Sequence, residues 1–136
     1  NFRAWKVDPD PQFLIRVTHS SGMLEGQYTI ETKFDESDHR SHRPRSWMVE
    51  GLQKVERLEP LRKQRNVTLG QFALLWLYAH PSILSALPNI YNEEQIAEFA
   101  AASDHAPLND AEMQQIHEMY ERNFDVTPYV EEAVTA

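Results

Sequence analysis

The chain has 136 residues, a hydrophobic share of 41% and a charged share of 25%, which indicates a folded domain or a part of one. Its net charge of −8 argues against nucleic acid as a partner, because phosphate binding needs a positive surface. The sequence has no cysteine, which excludes disulfides, thiol chemistry and cysteine-ligated metals and fits a reducing compartment.

No segment of the sequence has the properties of a membrane span or a secretory leader. The apolar run from Phe72 to Ala79 is too short to cross a bilayer, and the N-terminus has no basic segment followed by an apolar one. We therefore expect a cytoplasmic protein without a membrane partner.

The first third of the chain is predicted to hold one strand and one long loop. Residues 1–12 contain closely spaced prolines and indicate an N-terminal loop, and the β-rich segment 13–17 indicates a strand. Gly22 and Gly26 mark a turn after that strand. Residues 30–46 have no hydrophobic period and many charges, which predicts a long excursion over the surface.

From Trp47 onward, apolar residues recur every three or four positions, which indicates helices. Pro60 is expected to interrupt and kink the first of them. The second begins at Thr68, where Gln71 completes the pattern of a reciprocal N-terminal cap. Its side chains are apolar on nearly all sides, so we expect it to be buried.

A second strand and two further helices are predicted in the last third. Residues 82–87 indicate the strand, and Asn92 with Gln95 and Asn109 with Glu112 have the spacing of helix caps. One face of the last helix is predicted to carry Met113, Ile116, Met119 and Tyr120.

The order of these elements predicts an α/β fold that extends beyond this chain. Two strands joined by a helical crossover should be parallel and covered on both faces. Two strands alone would leave their edges unpaired, and a complete barrel of eight β/α units needs roughly 250 residues. The chain is therefore expected to be the end of something larger.

Three segments resemble the aldo-keto reductase family, in the family's order and spacing. "RVTHSSGMLEGQYT" (residues 16–29) is similar to its strand-seven segment. "TLGQFALLWLYAHPSILSALPN" (68–89) is similar to the helix that leads into its strand eight, and "NEEQIAEFAAASDHAPLNDAEM" (92–113) to its closing helices. The resemblance implies that residues 13–124 form the C-terminal portion of an eight-stranded β/α (TIM) barrel, with the last two β/α units, a terminal helix and a C-terminal tail at 125–136.

The resemblance also implies a nicotinamide dinucleotide, NAD or NADP, and a small carbonyl substrate. In the family, the cofactor lies across the C-terminal mouth of the barrel, between the loop after strand seven and the corner after strand eight. Barrels in general form phosphate sites after these two strands. The implied cofactor-binding positions are Arg16, Ser20, Ser21, Gly22, Met23, Leu24, Pro88, Asn89, Ile90, Tyr91, Asn92, Gln95 and Glu98.

The corner from Pro88 to Asn92 has two interpretations. Its backbone N–H groups and the positive end of the following helix can face a phosphate. Alternatively, it is the ordinary capped start of a helix. Neither asparagine of this corner is followed by x-Ser/Thr, so glycosylation does not explain them.

Several positions depart from the family pattern in a way that bears on the cofactor. Asn89 replaces a lysine or glycine, Gln95 replaces an arginine and Phe99 replaces an asparagine. No Lys or Arg lies between Arg65 and Arg122, whereas a 2′-phosphate prefers a cationic partner. Local charge therefore favours NAD over NADP. Three arginines would meet a 2′-phosphate if the long loop folded back: Arg40, Arg43 and Arg45.

Other positions carry open alternatives. Arg16, where many members have tyrosine, can stack on the nicotinamide, pair with phosphates or satisfy a buried carboxylate. Glu98 falls where the family places an acid that contacts adenine. His19 either lines the substrate pocket or is a hydrogen-bonded structural histidine. His39 and His42 have a spacing compatible with metal ligands, but a solvated loop is the preferred interpretation.

The implied activity is that of an NAD(P)-dependent oxidoreductase. The family's catalytic tyrosine and its supporting residues lie on the first four strands, so we assign no catalytic residue and no metal ligand here. The chain is expected to be inactive alone and to need a missing N-terminal barrel portion or a partner chain. The alternative is a non-catalytic interaction subunit of a larger assembly, built from a degenerate half-barrel.

Overall fold

The computed structural model describes residues 11–130. Most of the predicted loop 1–12 and residues 131–136 of the predicted tail therefore lie outside the described residues. In chain order, the regular elements are β1 (Phe13–Arg16), α1 (Arg45–Arg65), α2 (Leu69–Tyr78), β2 (Ile83–Leu87), α3 (Glu93–Ala100) and α4 (Asp110–Glu121). Between residues 11 and 130, no helix is long and apolar enough to cross a membrane.

The two strands are adjacent and parallel, as the helical crossover predicts. Ile15 pairs with Ala86, and Arg16 pairs with Leu87 at the carboxyl end of the sheet. The segments that follow both strands, beginning at Val17 and Pro88, therefore leave the sheet at the same end. This end of the sheet carries the residues with implied functional roles.

Helix α1 runs without interruption from Arg45 to Arg65, so the predicted break at Pro60 is wrong. A proline removes one backbone hydrogen bond, the one to the carbonyl four residues earlier. That carbonyl belongs to Glu56, and both Glu56 and Pro60 are exposed, so water can satisfy it. The long helix tolerates the proline because the defect faces solvent.

Helix α2 is the centre of the packing, as its apolar composition predicts. Thr68 and Gln71 form the predicted reciprocal cap at its start. On one side α2 packs with α1 and α4, through a cluster of Leu61, Val67, Phe72, Leu75, Leu108 and Ile116. On the other side it packs against β2 and α3, through Leu74, Leu77, Ile83, Ala86, Phe99 and Ala102.

Helix α4 begins with the predicted reciprocal cap between Asn109 and Glu112. Ile116 is buried, and Met113 and Met119 pack against the core. Tyr120 is 69% exposed, so its predicted place on the apolar face is wrong. Tyr120 follows Met119 directly on the helix and so points about 100° away from it, to the solvent side.

Three leucines of the two strands are exposed. Leu14, Leu84 and Leu87 are 60%, 65% and 50% exposed, whereas Ile83 and Ala86 are buried against the helices. Exposed leucines on a parallel sheet are unusual, because such sheets are normally covered on both faces.

Candidate functional site

The turn after β1 is built from left-handed backbone. Val17, Ser20 and Ser21 have φ angles of 55°, 51° and 58°, and Gly22 has a φ of 91°. A non-glycine residue in this region costs about 1–2 kcal/mol. Hydrogen bonds offset part of the cost, including those from Ser20 N–H to the Val17 carbonyl and from Gly22 N–H to the His19 carbonyl, both 3.1 Å long.

Gly22 is required by its surroundings as well as by its φ angle. A Cβ at this position would lie 2.9 Å from Cζ of Tyr28 and closer still to the hydroxyl oxygen. That hydroxyl donates to the carbonyl oxygen of Ser21 over 2.7 Å. Burial raises the pKa of Tyr28, so the phenol keeps the proton that it donates.

Arg40, from the long loop, donates to the Tyr28 hydroxyl oxygen over 2.7 Å. Two further hydrogen bonds of 2.9 Å and 2.5 Å connect its guanidinium to the carboxylate of Asp38. These bonds to Arg40 lower the pKa of Asp38 to about 2. Arg40 is therefore engaged within the protein and supports the turn.

The other two loop arginines are engaged as well. The guanidinium of Arg43 lies 5.4 Å from the ring centre of Trp47, and Arg45 donates to the carbonyl of Ile30. Several side chains thus attach the loop to the rest of the protein. The sequence of the loop has no hydrophobic period that would predict this attachment. His39 and His42 form a short 3₁₀ turn there, and residues 11–130 contain no cluster of potential metal ligands.

His19 is buried between the turn and helix α3. Its Nε2 lies 3.2 Å from the Gly70 carbonyl, so this nitrogen carries a proton in the assigned tautomer, and its ring centre lies 4.5 Å from that of Phe99. Burial lowers its pKa, although the Gly70 carbonyl, Glu25 and Glu98 oppose the shift. Of the two alternatives, these contacts fit a hydrogen-bonded structural histidine.

The corner after β2 uses some of its backbone donors internally. Tyr91 N–H donates to Oε1 of Gln95, and Gln95 N–H donates to Oδ1 of Asn92, each over 2.8 Å. The predicted reciprocal cap is therefore only half formed, because the Gln95 side chain bonds Tyr91 instead of Asn92. Pro88 is half-buried, while the positions most open to a ligand are Asn89, Ile90 and Tyr91.

The charge at this corner opposes a dense anion. Glu93 and Glu94 occupy the first turn of α3 and are exposed. Acidic side chains in the first turn neutralise the partial positive charge at the N-terminus of the helix. Residues 88–100 contain no lysine or arginine to receive a 2′-phosphate, although the exposed Arg16 pairs with Leu87 directly before this corner.

Glu98 faces the start of helix α2. The Thr68 hydroxyl donates to its carboxylate over 2.5 Å, and the Gln71 side chain donates to its backbone carbonyl over 2.8 Å. Glu98 is half-buried, and its carboxylate is engaged by Thr68.

The structure brings the turn and the corner together. Nε2 of Gln95, a residue only 4% exposed, donates to Glu25 over 3.2 Å. The ring of His19 lies tilted against that of Phe99, which adds a contact between the turn and helix α3. The Gln95 side chain thus links the turn after β1 to Tyr91 of the corner after β2.

The remaining implied positions differ in what they offer a ligand. Ser20 and Arg16 are exposed, and Ser21 and Leu24 are half-buried. Met23 is buried, and its side chain packs on Gly51 of α1, where a Cβ would lie 2.6 Å from the methionine methyl. Met23 can therefore offer a ligand only its backbone.

Sequence reasoning missed Tyr28 and Glu25 as parts of this site. Tyr28 acts on a residue seven positions earlier, and Glu25 pairs with a residue 70 positions later. The only available signal was Gly22 itself, since a glycine in a turn indicates a close approach by another group.

The fold and the family follow from comparison with known proteins. The chain matches the solved structure of a glycerol dehydrogenase from Gluconobacter oxydans over 92% of its own length and 38% of that chain, with a TM-score of 0.72 and 19% identity. This likeness concerns the fold. The model of the aldo/keto reductase family matches residues 13–121, and the chain belongs to that family.

Curated relatives are longer proteins. A probable voltage-gated potassium channel subunit beta from Arabidopsis thaliana is 31% identical over 94 residues, and one from Oryza sativa is 30% identical over 94 residues. An aldo-keto reductase with NADP(+) in its name, from Schizosaccharomyces pombe, is 29% identical over 100 residues. The matches cover 65–71% of this chain but only 29% of each of these relatives.

Proposed function

We propose that this chain supplies the C-terminal, dinucleotide-binding part of an NAD(P)-dependent aldo-keto reductase-like oxidoreductase that acts on a carbonyl or alcohol. The observation that carries the proposal is the link between turn and corner at the carboxyl ends of two parallel strands, made by Glu25 and Gln95. Barrel enzymes place their phosphate sites at this position.

The turn fits a dinucleotide by its chemistry. Ser20 and Ser21 place two hydroxyl groups on a left-handed backbone segment, and a hydroxyl group can donate a hydrogen bond to a phosphate oxygen. Gly22 is buried against Tyr28, so it shapes this segment through its φ angle of 91°. The bound dinucleotide would supply a hydride, and this chain would hold the phosphates and the adenosine end of the dinucleotide.

The chain contributes no catalytic acid and is completed by an N-terminal barrel portion or by a partner chain. The exposed leucines of the sheet support this, because they need a cover that α1 to α4 do not provide. The chain spans less than a third of the length of its curated relatives, which is compatible with the same conclusion. A cytoplasmic location remains a prediction.

NAD is the preferred cofactor in this proposal. Glu93 and Glu94 at the corner disfavour a 2′-phosphate, and Arg40 is already neutralised by Asp38. The preference follows from local charge alone.

Titration of the purified protein with NADH and NADPH tests the proposal. Intact-mass analysis first establishes whether further chain or a second polypeptide completes the barrel. Fluorescence of Trp47 and Trp76 then reports binding, with AMP and nicotinamide mononucleotide as half-ligand controls. We expect saturable binding of the dinucleotides, tighter for NADH. Binding of neither dinucleotide by the completed barrel would contradict the proposal.

A second candidate is a non-catalytic interaction subunit of a larger assembly. The observation in its favour is that two plant relatives are named as probable potassium channel subunits. The same purification distinguishes the candidates. An interaction subunit would co-purify with a partner outside the barrel and would turn over no carbonyl in the completed, dinucleotide-loaded form.

A further inference from the structure

The turn after β1 is held by a side chain from outside it. The peptide that joins Ser21 to Gly22 is fixed at both ends. Its carbonyl accepts from the Tyr28 hydroxyl over 2.7 Å, and its N–H donates to the His19 carbonyl over 3.1 Å. This peptide cannot rotate without losing both hydrogen bonds.

The long loop holds Tyr28 in turn. Arg40 donates to the Tyr28 hydroxyl oxygen over 2.7 Å and lies 4.7 Å from the ring centre of Phe34. The ring of Tyr28 meets those of Phe34 and Trp47 edge-on, at 5.4 Å and 6.3 Å between centres. Asp38 fixes the guanidinium of Arg40 through two hydrogen bonds. A chain of contacts thus runs from the loop to the turn.

We propose that Tyr28 and Arg40 are positioning residues for the dinucleotide: Arg40 fixes the Tyr28 hydroxyl, which fixes the Ser21–Gly22 peptide and with it the conformation of the turn that carries the Ser20 and Ser21 hydroxyl groups. This inference rests on the proposed function, because the turn must contact the dinucleotide. Neither residue needs to touch the ligand.

The physical reason lies in the backbone of the turn. Ser20, Ser21 and Gly22 are left-handed in succession, a conformation that L-residues leave when they are released. A freed peptide can rotate and exchange the directions of its carbonyl and N–H. Rotation of this peptide changes the backbone conformation that places the Ser20 and Ser21 hydroxyl groups, so the affinity for the dinucleotide falls when the Tyr28 hydroxyl is removed.

The test uses Tyr28→Phe, Arg40→Gln and the double variant in the complete protein, with Arg43→Gln as matched control. Arg43 lies on the same loop but contacts Trp47 instead of Tyr28. Calorimetry gives the Kd for NADH, and urea unfolding is measured in parallel. We expect each single variant to weaken binding about tenfold, the loss of roughly one hydrogen bond. The double variant should be no weaker than either single variant, and Arg40→Lys should recover part of the affinity.

Three results would overturn the inference. Unchanged affinity in Tyr28→Phe would show that the hydroxyl does not position the turn. An additive loss in the double variant would show that Arg40 acts independently of Tyr28. An equal loss in Arg43→Gln would point to a general effect of the loop. Positioning also predicts that the KM for NADH rises while kcat at saturating NADH is unchanged. A wild-type protein that binds no dinucleotide would instead refute the proposed function.

Discussion

Gly22 and Gly26 form a matched pair of substitutions that tests the packing of the turn. Both have left-handed backbone, with φ angles of 91° and 74°. An alanine at Gly26 would meet only ordinary contacts, the nearest being Cβ of Leu69 at 3.8 Å. Its cost should therefore be the conformational one alone, about 1 kcal/mol.

An alanine at Gly22 pays the same conformational cost and also collides with Tyr28. The Cβ would lie 2.9 Å from Cζ of Tyr28, so the ring must move away. The hydroxyl then loses its hydrogen bonds to Ser21 and Arg40, each worth about 1 kcal/mol. We expect Gly22→Ala to destabilise the protein by roughly 3 kcal/mol, about 2 kcal/mol more than Gly26→Ala.

Urea unfolding followed by far-UV circular dichroism measures the difference, provided that the slope with denaturant is the same for both variants. In the Tyr28→Phe background, the extra cost of Gly22→Ala should shrink because the hydrogen bonds are already gone. Equal destabilisation by Gly22→Ala and Gly26→Ala would refute the reasoning, since it would mean that Tyr28 is not fixed against the turn.

Two further substitutions test the site. His19 has a lowered pKa, so the unfolded state binds a proton more readily, and stability should fall as the pH drops below about 6.5. In His19→Gln the decline of the free energy of unfolding from pH 8 to 5 should be smaller, and an unchanged decline would remove His19 as its source. Asn89→Lys should shift the ratio of dissociation constants towards NADPH by about tenfold, since Asn89 is exposed at the corner, whereas Gln95 is buried and bonded to Glu25. A ratio that does not change in the titration would refute the charge argument.

Helices were predictable from the sequence where residues three or four positions apart determine them. The caps at Thr68 and Asn109 and the apolar period of α2 determine where helices begin and which faces are buried, because these interactions span only three or four residues. The parallel pairing followed from the helical crossover. The predicted break at Pro60 was wrong because the free-energy cost of a proline in a helix depends on whether the unpaired carbonyl faces water. The packing of the helix decides this, and the sequence does not show it.

The site was predictable only in outline. The positions of the turn and the corner followed from the resemblance, but the contacts that join them connect residues far apart in sequence. The resemblance made Gln95 a cofactor-binding position, and the structure shows that this residue is buried and bonds Glu25 and Tyr91. Arg40 was considered as a phosphate partner and instead supports Tyr28. Hydrogen bonds between residues far apart in the chain produce no periodic pattern in the sequence. The roles of Gln95 and Arg40 can therefore be seen only in the folded structure.

The central claim is that the turn and the corner hold one dinucleotide together. Hydrogen–deuterium exchange of the complete protein, with and without saturating NADH, tests it most directly. The account predicts slower exchange in two separate segments, residues 17–25 and 88–95, at the same NADH concentration and with helix α4 unchanged. Saturable NADH binding that leaves both segments unprotected would contradict it.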